Sequence, residues 1–120
     1  MAAEKNEIKY HGVQECPITA TIDVIGGKWK PIIIWLLLEK PVRFGELHKT
    51  IDGIALKVLS RQLKELEADG IIIRKAYPEI PPRVEYSLSE KGRSLQKIMQ
   101  LLSDWSRENI LNTTQKSPNN

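Results

Sequence analysis

The sequence predicts a mainly α-helical domain with one small β-hairpin before its last helix, in the order α-α-α-α-β-β-α. Three observations carry this. Between Pro17 and Asp69 apolar residues recur at spacings of three and four, and Gly and Pro punctuate the stretch. Between Ile71 and Leu88 the pattern becomes β-branched and then alternating, around Pro78, Pro81 and Pro82. Helical spacing returns in Leu95, Ile98, Met99, Leu102 and Trp105. A chain of 120 residues suits one domain. Residues 16–110 are expected to fold, 1–15 to form a flexible N-terminal segment and 111–120 a disordered polar tail.

In chain order, Ile18, Ile22 and Ile25 mark a short first helix from Pro17, stopped by Gly26-Gly27. Pro31 fits the first turn of a second helix, where its missing N–H is harmless. The run Ile32 to Leu38 is apolar on every side, which predicts a central helix buried all round; seven apolar residues also fit a buried strand, but Pro31 before them and Glu39-Lys40-Pro41 after them favour the helix. Trp29 and Trp35 are expected to pack in the core. A third helix spans roughly Phe44 to Thr50, and Asp52-Gly53 turns the chain. The fourth helix, about Ala55 to Asp69, carries Leu56, Leu59, Leu63 and Leu66 as one stripe, and Gly70 stops it. Lys57, Arg61 and Lys64 cluster about 150° from that stripe. Ile71–Tyr77 and the alternating Val84, Tyr86 and Leu88 form the two strands of a hairpin with a proline-rich tip. Ser89 can cap the final helix.

Composition removes several functions. The longest apolar run has seven residues, too short for a membrane span of ~20. The N-terminus lacks the apolar core of a secretory signal, so the cytoplasm is the expected compartment. Cys16 is the only cysteine and His11 and His48 the only histidines, so no intramolecular disulfide and no structural zinc site is expected. Gly26-Gly27 lacks the further residues of a phosphate-cradling loop. No catalytic constellation and no cofactor motif stands out. The net charge is +3, but 13 basic and 9 acidic residues lie between Lys28 and Arg93, against 5 and 6 in the two flanks. The basic excess is therefore central, as a polyanionic partner would require.

Helices followed by a two-stranded hairpin are the layout of a winged helix-turn-helix. A DNA major groove ~12 Å wide admits one α-helix with an apolar back and a cationic front. The Ala55–Asp69 helix has both, and the hairpin would bring Arg83 toward an adjacent backbone or minor groove. An alternative keeps the fold as a protein-interaction module that does not bind DNA. Cys16 sits at the start of the first helix, where the helix dipole favours the thiolate.

Three stretches make the reading specific. The first is Cys16-Pro17 with Ile25-Gly26-Gly27-Lys28-Trp29-Lys30. The second is Arg43-Phe44-Gly45-Glu46-Leu47 leading to Leu63-Lys64-Glu65-Leu66-Glu67-Ala68-Asp69-Gly70. The third runs from Tyr77 to Leu88 through Pro81-Pro82-Arg83-Val84-Glu85-Tyr86. From Cys16 to Trp105 the chain resembles the HxlR family of bacterial winged-helix transcription regulators, MarR-like dimers. The resemblance implies a homodimer, usually a repressor, on a palindromic double-stranded DNA operator, with an inducer that the sequence does not name. It implies that Lys57, Ser60, Arg61 and Lys64 face DNA and that Arg83 is the wing arginine. It places dimerisation on Ile18, Ile22, Leu95, Ile98, Met99, Leu102 and Trp105, and suggests oxidant or electrophile sensing at Cys16. Where the family commonly has a serine, this chain has Ala55, so the recognition helix loses a cap.

Overall fold

The computed structural model describes residues 15–111. The terminal segments expected to be flexible therefore lie, apart from Glu15 and Leu111, outside the described residues. Helix α1 spans Pro17–Ile25 and α2 Lys30–Leu37, each with proline in its first turn. Strand β1 (Val42–Arg43) leads into α3 (Phe44–Thr50), and α4 follows at Leu56–Ala68. The hairpin is β2 (Ile72–Tyr77) and β3 (Arg83–Leu88); α5 (Glu90–Arg93) and α6 (Gln96–Asn109) close the chain.

The expected hairpin is a three-stranded antiparallel sheet in the order β1-β3-β2. Val42 and Arg43 pair with Tyr86 and Glu85, while β2 pairs with β3 from Ile72↔Leu88 to Tyr77↔Arg83. The extra strand ties the segment before α3 to the wing, so the wing is anchored on both sides of β3. One apolar core joins the layers: Ile33, Ile34 and Leu37 of α2, Leu47 of α3, Leu59, Leu63 and Leu66 of α4, and Tyr86 and Leu88 of β3 are all buried.

Four expectations are corrected. Helix α2 is not buried all round: Ile32 and Trp35 are each 38% exposed and line an open groove beside Met99 and Leu102. Leu56 is 55% exposed, since the first turn of α4 projects past the edge of the core. The final helix is two helices, broken at Ser94-Leu95. Leu95 and Met99, expected in a dimer seam, pack inside the protomer's own core.

At the break the Leu95 N–H bonds to the Gly92 carbonyl, three residues back, and the Ser94 hydroxyl donates to the Lys91 carbonyl. The Ser89 hydroxyl accepts from the Gly92 N–H at 3.0 Å and donates to the carbonyls of Gly70 (2.6 Å) and Ile71 (3.0 Å). Lys91 Nζ donates to the Asp69 carbonyl at 2.9 Å. Helix α5 is thus clamped across the C-terminal end of α4, where free carbonyls need donors. A Cβ at Gly92 would run into the Ile71 carbonyl oxygen, so the clamp closes only over glycine. Gly92→Ala should therefore cost ~1–3 kcal/mol by overpacking, and Ser89→Ala ~1 kcal/mol by loss of the cap. Urea unfolding measures both, and a Gly92→Ala protein as stable as the native one would refute the clamp.

Candidate nucleic-acid interface

Helix α4 builds the site. Leu59, Leu63 and Leu66 dock its back on the core, which turns Lys57, Arg61 and Lys64 outward, all exposed; Ser60 is half-buried beside them. The sequence-predicted cationic front is therefore assembled on one helix face. Ala55 occupies the N-cap and supplies no side-chain acceptor, so the missing cap is a property of the fold.

The rotation of α4 is locked by a contact that sequence reasoning missed. Lys30, the first residue of α2, is only 8% exposed and reaches Glu65 on α4 at 2.7 Å. Its hydrogen bond and charge hold the Glu65 carboxyl below its ordinary pKa, with a smaller contribution from Arg61, 3.9 Å away. Thirty-five positions separate the partners, and nothing local in the sequence pairs them.

The wing differs from expectation. Arg83 does not project a free guanidinium. It pairs with Glu79 at 3.0 Å and Glu85 at 3.5 Å and lies over the Tyr77 ring at 3.8 Å. The cross-strand register Tyr77↔Arg83 sets the ring beneath the cation. In the protomer Arg83 fastens the proline-rich loop to the strands instead of reaching outward. Between this loop and β1–α3 lies an open cleft of about 490 Å³.

Cys16 occupies the N-cap of α1. The Thr19 hydroxyl, then the Thr19 and Ile18 N–H groups, lower its pKa, partly opposed by burial. Ile18 and Ile22 of α1, Ile32 and Trp35 of α2, and Ile98, Leu101, Leu102 and Trp105 of α6 are exposed. Trp29 packs against the core as expected. His48 stands outside these groups, and His11 lies outside the described residues. No group of three His, Cys, Asp or Glu among the described residues could hold a metal ion, and no helix there is long and apolar enough to cross a membrane.

A three-stranded wing beside an outward-facing cationic helix defines a winged helix-turn-helix transcription regulator. The family model for HxlR-like helix-turn-helix proteins matches residues 24–114, and the chain belongs to that family. It is 49% identical over 110 residues to BH0655, an uncharacterized HTH-type transcriptional regulator of Halalkalibacterium halodurans, covering 91% of this chain and 96% of that one. Among solved structures, the redox regulator HypR in its oxidized form shares 45% identity with a TM-score of 0.74, covering 78% of this chain and 97% of its own. The reduced form of the transcriptional regulator YodB from B. subtilis shares 38% identity with a TM-score of 0.70, covering 79% and 94%.

The depressed Glu65 pKa has a definite sign. The pair's stabilisation is fully present above the ordinary glutamate pKa and is lost as pH falls through the lower folded value. Native protein should therefore exceed Glu65→Gln in thermal stability at pH 7, and the gap should close on acidification below that range. Parallel melting curves across pH test this, and a gap independent of pH would remove the charge from the account.

Proposed function

We propose that this regulator binds a palindromic DNA operator as a homodimer, one α4 in each of two successive major grooves, and represses the adjoining promoter. The observation that carries the reading is α4 itself: an apolar back docked through Leu59, Leu63 and Leu66 and an exposed front of Lys57, Arg61 and Lys64. Lys57 and Lys64 contact phosphates, Ser60 lends a hydroxyl, and the planar fork of Arg61 reads a base edge. Arg83 acts on DNA indirectly, by holding the wing in shape. The exposed Ile18, Ile22, Ile98, Leu102 and Trp105 supply the two-fold seam, without Leu95 and Met99. A cytoplasmic regulator fits the reading.

Duplexes selected from a random pool should contain two half-sites with centres ~34 Å apart or a multiple of it. Lys64→Ala should weaken binding to all sequences and lower the log-log salt slope by ~0.9. Arg61→Ala should relax preference at one base pair by ~1–3 kcal/mol. A protein that sediments as a monomer at tens of micromolar, or selects a single half-site, would sink the dimeric reading.

Cys16 gives the same protein a redox or electrophile response. Its support is the lowered thiol pKa at the start of α1 and the likeness to a redox regulator. Alkylation by iodoacetamide should reach half-maximal rate at a lower pH than for an ordinary thiol, and Thr19→Val should move that midpoint up. Oxidant should shift operator affinity tenfold or more in the native protein and not in Cys16→Ser; equal behaviour in both excludes sensing.

A further inference from the structure

A cavity of about 270 Å³ opens between α1 and the joint of α5 with α6. Ile25, Ile71 and Leu95 are buried and form its floor, with Ala20 and Val24 half-buried on its wall. Thr21, Lys91 and Ser94 are exposed at its rim. None of the residues assigned to the two-fold seam lines it. At ~30 Å³ per water molecule the space equals about nine waters, enough for an organic body of about ten non-hydrogen atoms. A floor without polar side chains favours an apolar body over water.

The rim decides the head group. The Thr21 hydroxyl donates to the Pro17 carbonyl and the Ser94 hydroxyl to the Lys91 carbonyl, so both hydrogens are committed within the chain. Lys91 differs. Its ammonium has three N–H groups and donates to the Asp69 carbonyl at 2.9 Å. Among the described residues it is the one charged side chain of the lining and forms no ion pair. The lining therefore complements one anionic group on an apolar body. Asp69 is the C-cap of α4, so the cation that would meet the anion is also tied to the end of the recognition helix.

We propose that this cavity is an effector site for a small monocarboxylate, its carboxylate on Lys91 and its aromatic or branched body over Ile25, Ile71 and Leu95. The binding chemistry stands by itself; its consequence rests on the DNA-binding reading. A carboxylate draws the Lys91 ammonium toward the cavity and away from the Asp69 carbonyl, which loosens the hold of α5 on α4. A ligand that prefers one state of that contact shifts DNA affinity, and DNA shifts the ligand's affinity by the same factor.

The test uses the full chain, with naphthoate as the carboxylate and naphthamide as its neutral match, titrated by calorimetry. Naphthoate should half-saturate the native protein at ~1 mM or below, as its size allows. It should bind at least ~5-fold more tightly than naphthamide, because its bond to Lys91 is charge-assisted. Lys91→Gln, which keeps a donor for the Asp69 carbonyl, should erase that preference, and Lys91→Arg should retain it. Ala20→Leu fills the cavity from α1 and leaves Lys91 in place; it should melt as the native protein does and bind neither compound. Saturating naphthoate should shift affinity for a pool-selected duplex by at least ~5-fold in the native protein and not in Ala20→Leu. Equal binding of the two compounds, undiminished binding by Ala20→Leu, or an unmoved duplex affinity overturns the effector site. A native protein that binds naphthoate in this way but binds no duplex defeats the DNA-binding reading alone, so the two failures are distinguishable.

Discussion

The Lys30–Glu65 pair ties α4 to the start of α2. Leucines at spacings of three and four bury one face of α4, but apolar contacts tolerate a slide or a small roll. A 2.7 Å contact between an ammonium on α2 and a carboxylate on α4 adds a polar tie between the two helices. Lys30 is the one buried charged residue among the described residues, and its desolvation is acceptable only with Glu65 in place. With the roll of α4 set, Leu59, Leu63 and Leu66 point in, and Lys57, Arg61 and Lys64 point out. The pair contributes orientation before it contributes stability, and its carboxylate end stays half-open to water beside Arg61.

Much of this architecture was legible because it repeats. Leu59, Leu63 and Leu66 announce α4 by spacing, and Val84, Tyr86 and Leu88 announce β3 by alternation. What does not repeat stayed hidden. Val42-Arg43 is too short to show a period and becomes a strand only through its pairing with Tyr86 and Glu85. The seating of α5 depends on Gly92 meeting the Ile71 carbonyl, a contact across 21 positions. For Arg83 the clue was present: carboxylates stand four positions before and two after it. The cationic front of α4 was readable, but the lock that aims it was not. The exposure of Trp35 depends on what is absent around α2, which a run of apolar letters cannot encode.

The exterior has surfaces of two characters. The exposed front of α4 is cationic and suited to a polyanion. The apolar side chains of α1, α2 and α6 make the other, where Trp35 forms part of a groove with Ile32, Met99 and Leu102. An exposed apolar band of this composition is costly in water for an isolated protomer. The basic side gains from ionic attraction that salt weakens, whereas apolar burial is far less sensitive to salt. The two surfaces therefore answer differently to the same change of medium.

The α5 segment has a mechanical meaning. Its cap Ser89 and its Lys91 are bonded to the carbonyls of Gly70, Ile71 and Asp69, and beyond the Ser94-Leu95 break it is followed by α6; Leu95 and Met99 are set in the core. It behaves as a bracket between the reading helix and a long strut. A 14-residue helix is ~21 Å long, so a ten-degree change of bracket angle displaces its far end by ~4 Å. In any two-fold pairing through α6, such a change would alter the distance between the two reading helices. The separation of two α4 helices in such a pairing would then be set by a handful of side-chain hydrogen bonds from Ser89 and Lys91 to backbone carbonyls.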